Sequence, residues 1–590
     1  MNSTRANSIT ISRLLFRLLP VQVLMAAVGA VNGIVSSFFA SNYVGIDAMS
    51  AVGLYGPINV LITALNLVLV GGTAIVSGKY MGQNQKEKIQ GVFSLDLGIS
   101  ALLAFVFIAV FIILGTFDLT GFLSSDERVR FLFNQYLLGQ AVGVLPFILG
   151  NQLPSFLLME NREKRTLAAS LAYIAVNLVL NVVLVRMLHM ETFGLALASS
   201  LGMWVFFGVQ VQYFLSGKSQ LHVTFRHIRW RECGEIVRTG IPGALSNGYQ
   251  TLRGFIVNGL IMSFIGSAGI SAFAAANNLL TFFWAIPTGM LTVSRLMMSV
   301  SVGEEDRQTL TDIMRVMFRQ FVPLMGMISV GIALCAVPFT RIFFRDPAEP
   351  VYMMTVWGFR LLPLCMPLSI IYMHFVCYGQ ASGKQVFVHI ASLLDGVVCV
   401  AGFSALLMPV MGINSVYIAN ILNGIVCFVF IVLYSCVRVK HFPRNMDELM
   451  VIPEDFGAAE EDRMDLSVKT MEEVVCVSEA VTAFCLEKGT DRRRANLAGL
   501  AMEEMAGNIV DHGFTKDTKK HSIDIRVVAA DENVILRTRD DCRPFDPEER
   551  NQLAAGEDIM KNIGIRMVYR IARDVQYQSL LGLNVLTIKI

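Results

Sequence analysis

Residues 92–115 read VFSLDLGISALLAFVFIAVFIILG, an almost unbroken apolar run whose one charged residue is Asp96. A helix of this length spans the roughly 30 Å hydrocarbon core of a membrane. Eleven further apolar runs lie between residues 18 and 436, so we predict twelve transmembrane helices. The predicted spans are 18–40, 52–75, 92–115, 134–157, 168–188, 193–215, 240–263, 269–293, 317–338, 352–378, 386–408 and 413–436.

The composition agrees with a membrane protein. Of 590 residues, 54% are hydrophobic and 16% are charged, against about 25% charged residues in soluble domains. The net charge of +2 gives no sign of a nucleic-acid partner, and the expected surroundings are the lipid bilayer. No small-residue cleavage site follows the first apolar run, so we expect the first helix to direct insertion. The ten cysteines lack C-x-x-C spacing and are expected to be packing residues.

The positions of lysine predict the orientation of these helices. Cytoplasmic loops retain Lys and Arg, and twelve spans with a cytoplasmic N-terminus place every lysine before residue 445 on the cytoplasmic side. We therefore expect a plasma-membrane protein with both termini in the cytoplasm. The lysines concerned are Lys79, Lys86, Lys88, Lys164, Lys218, Lys384 and Lys440.

The two halves of the membrane region resemble each other. GIDAMSAVG begins at Gly45 and GSAGISAFA begins at Gly266, and the offset that aligns these two glycines also pairs Gly82 with Gly303. We call this spacing the repeat offset. Two such parallel repeats enclose a cavity between them. We divide the chain into two six-helix repeats, 1–216 and 240–436, a basic cytoplasmic loop at 217–239, a charged linker at 437–463, and a soluble domain at 464–590.

Several stretches of both halves resemble the multidrug and toxic compound extrusion (MATE) family. The resemblance implies cation-coupled export of small molecules, organic cations or amphiphiles, with Na⁺ or H⁺ as the coupling ion. The wider superfamily also includes flippases of lipid-linked precursors. The stretches are NYVGIDAMSAVGL (42–54), GGTAIVSGKYMGQNQKEKIQG (71–91), LMENREKRTLAASLAYIAVNLVLNVVL (158–184), GLALASSL (194–201), AAANNLLTFFWAIPTGM (274–290) and YGQASGK (378–384).

Ionisable side chains inside membrane spans are functional candidates, because an unpaired charge there is costly. Asp395 lies in the middle of the eleventh span and is the strongest candidate for a cation or proton site. The alternative is a structural carboxylate bonded to a neighbouring helix or to Arg360. Asp96 lies about one turn inside the third span, where an interfacial position is the simpler interpretation. The other ionisable residues are Arg253, His374 and His389.

The first helix departs from the family pattern. Many family members carry an acidic residue there, and the matching position in this chain is Ser36, with Asn32 and Gln22 as the nearby polar residues. A serine hydroxyl neither takes up a proton near neutral pH nor supplies a charge to Na⁺. This difference favours Asp395, or an uncoupled mechanism, over coupling through the first helix.

Residues 464–590 alternate between strand and helix patterns. We predict strands at 463–470, 521–530 and 533–541 and in two final segments, VQYQSL and LNVLTIKI, with helices at 471–488, 491–513 and 564–573. This order predicts an α/β sandwich with helices on one face of a mixed sheet. The expected fold is thus a twelve-helix membrane protein with a C-terminal α/β domain.

The stretch EEMAGNIVDHGF at 503–514 places Glu504 and Asn508 on one helix face. A carboxylate there can polarise a hydroxyl group, and an amide oxygen can bind Mg²⁺ beside phosphates. Asp540 ends a strand, where its carboxylate can accept a hydrogen bond from an exocyclic amine. On their own these residues are a weak signal, and the ATP and Mg²⁺ site that we expect here is what the resemblance described next implies.

This region resembles the GHKL ATPase superfamily, and especially the anti-sigma-factor type serine kinases. The resemblance implies that Glu504 is the base, Asn508 the Mg²⁺ ligand and Asp540 the adenine reader, with Gly564 in the phosphate loop. Two expected glycines are replaced by Cys542 and Asn562, which weakens backbone approach to phosphate.

Three functions remain open at this point. The first is an exporter whose tail senses ATP or binds a cytoplasmic regulatory protein. The second is a membrane-tethered serine kinase that uses the membrane region as a sensor, and the third is a flippase of lipid-linked precursors. The membrane region is not expected to be an enzyme, and whether the tail only binds ATP or is a protein serine kinase stays open. A degenerate domain that serves for docking is the alternative to an active one.

Overall fold

The computed structural model describes most of the chain. Described are residues 12, 15–16, 18–25, 39, 46–121, 126–224, 226–458, 461–514, 521–530, 533–542, 547, 563–580 and 583–590. Most of the first predicted span, including Asn32 and Ser36, lies outside these residues, as does Asn562.

The membrane region is a bundle of long helices. Ten helical segments of the described residues are long and apolar enough to cross a membrane. In chain order the helices are α1 Ile46–Gly82, α2 Lys86–Thr116, α3 Glu127–Met159, α4 Glu163–Leu180, α5 Glu191–Leu215, α6 Trp230–Phe264, α7 Ser267–Gly303, α8 Arg307–Val316, α9 Val322–Leu334, α10 Ala336–Phe343, α11 Pro350–Leu361, α12 Met366–Ala381, α13 Gln385–Leu393, α14 Cys399–Met411 and α15 Asn414–Val439.

Helix α6 covers the predicted span 240–263 but is too polar to count among the ten apolar segments. Its polarity comes from side chains that face a cavity inside the bundle, among them Ser246, Asn247, Gln250 and Arg253. Several spans are longer than the sequence predicted. Helix α1 has 37 residues, where the sequence predicted 52–75, because its polar ends continue the helix beyond the apolar run.

The internal repeat extends to individual contacts. Helices α1 and α7 both have 37 residues, and the repeat offset pairs their first residues. A methyl group added at Gly82 would overlap the carbonyl oxygen of Val300, and one added at Gly303 would overlap that of Lys79. The repeat offset also pairs Lys79 with Val300, so the contact is reciprocal. The two halves therefore touch through matching helix ends, at the end of the bundle that carries the tail, which we call the tail-side end.

Among the membrane spans that the structure describes, three contain a π-helical segment and a fourth is interrupted by a 3₁₀ turn. Segments with extra or missing residues per turn redirect side chains and often occur at functional positions. The 3₁₀ turn Leu362–Cys365 joins α11 to α12 and includes Pro363, which cannot donate a backbone hydrogen bond. The π segments are Asn181–Met187, Met317–Phe321 and Leu394–Val398.

The tail is an α/β sandwich, as predicted, but its sheet is antiparallel throughout rather than mixed. The strand order is β1-β2-β3-β5-β4. Strand β5 lies between β3 and β4, and so separates the two strands that would otherwise pair in parallel. The elements are β1 Arg463–Val468, α17 Met471–Glu487, α18 Arg492–Asn508, β2 Ile523–Ala530, β3 Asn533–Asp540, α19 Ile563–Ile571, β4 Asp574–Leu580 and β5 Leu583–Lys589.

The helices of the tail cover one face of this sheet. Alternate strand residues such as Ile525, Val527 and Leu536 pack with Val481 and Met502 in a buried apolar core. Because side chains alternate between the two faces of a strand, the intervening residues of β2 and β3 point away from the helices. That second face carries the charged side chains described below.

The segment between the membrane region and the tail is fastened to the bundle. It contains the short helix α16 Met446–Met450. The ammonium group of Lys384 donates to the carbonyl oxygens of Met450 at 2.7 Å and Val451 at 2.6 Å. Arg307 forms an ion pair with Asp447 at 3.1 Å. These bonds hold the start of the tail against the tail-side end of the second repeat.

Candidate functional sites

The second repeat encloses a cavity of about 490 Å³. Its walls come from α6, α7, α12, the π segment at Leu394–Val398 and α15. The lining is mixed, with polar and apolar side chains in similar proportion. Polar and charged residues of the lining include Asn247, Gln250, Arg253, Asn277, Arg295, Gln380, Asp395, Asn420 and Asn423.

Asp395 faces this cavity and is held in place from two neighbouring helices. Its Oδ1 accepts a hydrogen bond of 2.8 Å from Nδ2 of Asn423 on α15. Nη1 of Arg253 on α6 donates to the backbone oxygen of Asp395 at 3.3 Å. Gly396 permits this approach of α6, because a methyl group there would overlap Tyr249. The structure thus joins Asp395 to a neighbouring helix and also exposes it to the cavity.

Arg360 is not the partner of Asp395, so that part of the structural alternative is wrong, whereas a bond to a neighbouring helix is present through Asn423. The guanidinium of Arg360 lies 5.3 Å from the centre of the Trp357 ring, one turn earlier on the exposed face of α11. A cation over an indole is a stable surface arrangement. Arg360 therefore has no place among the residues that line the cavity.

Asp96 is packed inside the bundle, and its predicted depth near the membrane interface stays a prediction. Helix α2 begins at Lys86, so Asp96 lies nearly three turns inside it and is fully buried. Its Oδ1 accepts a hydrogen bond of 3.0 Å from Thr73. His374 is also buried, with its ring nitrogens 2.8 Å from the Ile370 carbonyl oxygen and 2.9 Å from Ser294 Oγ. Both residues belong to the packed interior and do not line the cavity.

In the tail, the structure brings Glu504 and Asn508 together. They lie on the last turn of α18, and Nδ2 of Asn508 donates to Oε1 of Glu504 at 3.0 Å. The helix then continues as the π segment Ile509–Gly513. Gly513 packs against Cys542, with a methyl group at Gly513 falling 2.9 Å from Sγ. This contact links the end of the helix to the turn that follows Asp540.

Asp540 is buried at the end of β3. Its Oδ1 accepts hydrogen bonds from Nδ2 of Asn584 at 2.8 Å and from the backbone nitrogen of Cys542 at 2.9 Å. Burial raises the pKa of Asp540, while these hydrogen bonds act in the opposite direction. Asn584 lies in the final strand directly opposite Asp540 and fixes the orientation of that carboxylate. It was not among the site residues predicted from the sequence.

Gly564, the second residue of α19, lies directly against Glu504. Any side chain there would overlap the Glu504 carboxylate. The N-terminal end of a helix carries partial positive charge and binds anions. Glu504, Asn508 and Gly564 therefore meet at one place, where hard oxygen ligands and close backbone approach fit a magnesium-bound phosphate.

A further cluster surrounds the Asp540 turn. Nδ1 of His521 lies 2.7 Å from Oδ1 of Asp541, and the His521 ring stacks on Phe514 at 5.6 Å between centres. The pair of His521 and Asp541 was not predicted from the sequence. It fixes the start of β2 to the end of β3 beside the candidate site.

Comparisons with known proteins match the membrane region and the tail to two different families. Residues 23–183 match the MatE family model, and residues 468–590 match the model of the histidine kinase-like ATPase domain. A probable multidrug resistance protein NorM of Bacillus subtilis is 26% identical over 258 residues, 41% of this chain and 54% of that protein. The NorM of Xanthomonas axonopodis pv. citri is 31% identical over 123 residues, 20% of this chain and 26% of that protein. The chain thus matches between about a quarter and about half of each relative.

Solved structures of similar shape cover the membrane region. An outward-facing multidrug resistance MATE family transporter of the MOP superfamily has a TM-score of 0.66 and 19% identity, covering 73% of this chain and 96% of that one. The Vibrio cholerae MATE transporter VcmN in its bent form has a TM-score of 0.66 and 16% identity, covering 72% and 97%. The membrane region therefore has the MATE transporter fold.

Proposed function

We propose that this chain, which carries a MATE family domain followed by a histidine kinase-like ATPase domain, exports small molecules across the plasma membrane through the cavity of its second repeat. The observation that supports this most directly is Asp395, a carboxylate on a π-helical segment that faces a partly polar cavity inside the membrane. A protein that only needed a stable bundle would gain nothing from that placement, because a buried carboxylate is costly.

The coupling step is proposed to use the same carboxylate. Asp395 can hold a proton or Na⁺, and Asn423 can bond to either form because its amide has both a donor and an acceptor. Substrate and cation then compete for the cavity. Measuring uptake of a fluorescent amphiphile by proteoliposomes under an imposed pH or Na⁺ gradient tests this coupling. If neither gradient drives transport, the proposed coupling is wrong.

The charges of the cavity favour amphiphiles over organic cations as substrates. Among the described lining residues, Arg253 and Arg295 carry positive charge and Asp395 is the acid. An amphiphile with an acidic or neutral polar group meets less repulsion there than a permanent cation. Inhibition of transport by an anionic amphiphile, compared with a quaternary ammonium compound of the same apolar body, distinguishes the two.

The tail is proposed to bind ATP with Mg²⁺. Asn508 would hold the ion, Asp540 the adenine, and the backbone at Gly564 the phosphates. Glu504 would accept a proton from an attacking hydroxyl group if a phosphoryl group is transferred. In the exporter, nucleotide occupancy would then regulate transport, and a regulatory protein could bind the same domain.

The orientation gives a direct prediction. If both termini are cytoplasmic, a cysteine placed at Lys86 should react with a membrane-impermeant maleimide only after the membrane is opened. Lys86 is exposed in the structure, so the folded protein does not protect it. Labelling of intact cells at this position would contradict the twelve-span topology. A cysteine at Arg128, on the opposite side of the bundle in that topology, is the matched control and should react in intact cells.

A further inference from the structure

The turn between α7 and α8 carries three acidic residues, whereas its repeat counterpart carries none. Residues 303–307 read GEEDR, and residues 82–86 read GQNQK. The two turns share the same backbone, since Asn84 and Glu305, which the repeat offset pairs, both have positive φ, 53° and 52°. The repeat thus keeps the shape of the turn and changes its charge. We call residues 303–307 the acidic turn.

The acidic turn is covered by three arginines from the outer face of the tail sheet. Arg526 of β2 reaches Asp306 at 2.5 Å. Arg537 of β3 contacts Glu304 at 2.8 Å and Asp306 at 3.4 Å. Arg539 contacts Glu304 at 3.2 Å. Both acids are almost completely buried, with side-chain exposures of 3% for Glu304 and 1% for Asp306.

These charges depend on each other. Burial alone would raise the pKa of Asp306, but the charges of Arg526, Arg537 and Arg539 outweigh it and hold that pKa well below its usual value. Asp306 also caps α8 by accepting from the backbone nitrogen of Thr309 at 2.9 Å. Removing one partner leaves a buried charge without compensation, which is strongly unfavourable. The tail is therefore fixed to the membrane region by a specific set of charges.

The docked tail also overhangs the other half of the membrane region. A cleft of about 480 Å³ is lined on one side by Gly82, Gln83 and Asn84 of the first repeat and by the acidic turn of the second. Its other wall is the outer face of the sheet, including Arg537. In addition, Gly457 of the linker, with φ of 77°, lies against the carbonyl oxygen of Glu305. The tail thus covers the place where the two halves meet.

We propose that the docked tail is a latch that holds the tail-side end of the transporter closed. Alternating access requires the two repeats to separate at that end, and separation breaks the reciprocal packing of Gly82 and Gly303. The docked tail is anchored on the acidic turn of the second repeat and occupies the space facing Gly82, Gln83 and Asn84 of the first repeat across the cleft, so we expect it to obstruct the displacement of those residues. Release of the arginine face from the acidic turn permits opening. The proposal concerns the docking face and does not depend on nucleotide binding.

The test measures docking and opening separately in the full-length protein in lipid nanodiscs. Spin labels at the exposed residues Glu472 and Val386 report the distance between the tail and the second repeat. Labels at Lys86 and Val386 report the distance between the two repeats.

The first variant combines Glu304→Gln with Asp306→Asn, which removes two charges and keeps the side-chain shapes. The second is Arg537→Gln, which leaves the membrane region unaltered. Glu305→Gln, which removes one negative charge at an exposed position of the same turn, is the control.

Both test variants should broaden the distance distribution between tail and second repeat, and should raise the population with separated repeats at least about threefold, an equilibrium change of roughly 0.65 kcal/mol. Glu305→Gln should match the wild type. If the tail is released and the repeats remain together, the tail is a tether and the latch is refuted. If the tail stays docked in both test variants, the charges do not hold it and the proposal also fails. Should the double variant not fold because α8 has lost its cap, Arg537→Gln alone decides.

Discussion

Asp395→Asn is expected to lower export about tenfold or more, the equivalent of at least roughly 1.4 kcal/mol in the transport barrier. The amide keeps the shape of the side chain and can still bond to Asn423, but it cannot take up a proton or neutralise Na⁺. The coupling charge would be lost while the cavity and its other lining residues remain. Efflux of a fluorescent amphiphile from proteoliposomes, driven by a cation gradient, measures the effect.

Asp96→Asn provides the matched control for this experiment. The same chemical change is made at a carboxylate that is fully buried, is bonded to Thr73 and does not line the cavity. Export by this variant should keep the wild-type dependence on the cation gradient, whatever its effect on protein yield. Equal losses in the two variants would assign both carboxylates to structure, and the proposed role of Asp395 would be abandoned.

The architecture was largely predictable because its signals are local or periodic. Apolar runs locate the membrane helices, and the repeat offset relates Gly82 to Gly303 before any contact is known. In the tail, alternating patterns placed each strand within a few residues, and the spacing of Glu504 and Asn508 was enough to place them on one face. These features depend on neighbours a few residues apart, or on a repeat of the same segment.

The features that were missed depend on contacts between distant segments. The partner of Asp395 is Asn423 rather than Arg360, since the exposed face of α11 directs Arg360 to Trp357. The sheet is antiparallel because β5 inserts between β3 and β4. The sequence did contain a signal for docking of the tail on the membrane region. The acidic turn reads GEEDR where the first repeat has GQNQK, and arginines occupy the positions of β2 and β3 that face away from the helices. Sequence alone could not show that these charges face each other.

Asn508→Ala is expected to weaken binding of magnesium-bound ATP to the full-length protein about tenfold or more, since losing even a residue that only supports a metal ligand typically costs about 10–100-fold in metal affinity. The alanine variant removes the amide that would hold Mg²⁺ and also releases Glu504 from its 3.0 Å hydrogen bond. Calorimetric titration with ATP in the presence of Mg²⁺ measures the affinity. An unchanged affinity would remove Asn508 from the proposed ion site.

Glu504→Gln separates binding from chemistry at the same site. A base affects the transition state more than the ground state, so this variant should bind ATP with nearly the wild-type affinity and lose any phosphoryl transfer to a protein substrate.

Cys542→Gly should tighten the binding of ATP, because a glycine lets the backbone of the turn after Asp540 approach the nucleotide more closely. Its side chain now packs against Gly513 at the end of the π segment, so the restored glycine acts at the junction between the Asn508 helix and the Asp540 turn. If the wild-type protein has no affinity for ATP and Cys542→Gly creates none, the tail is a docking domain. The charged contact with the acidic turn would then be its main function.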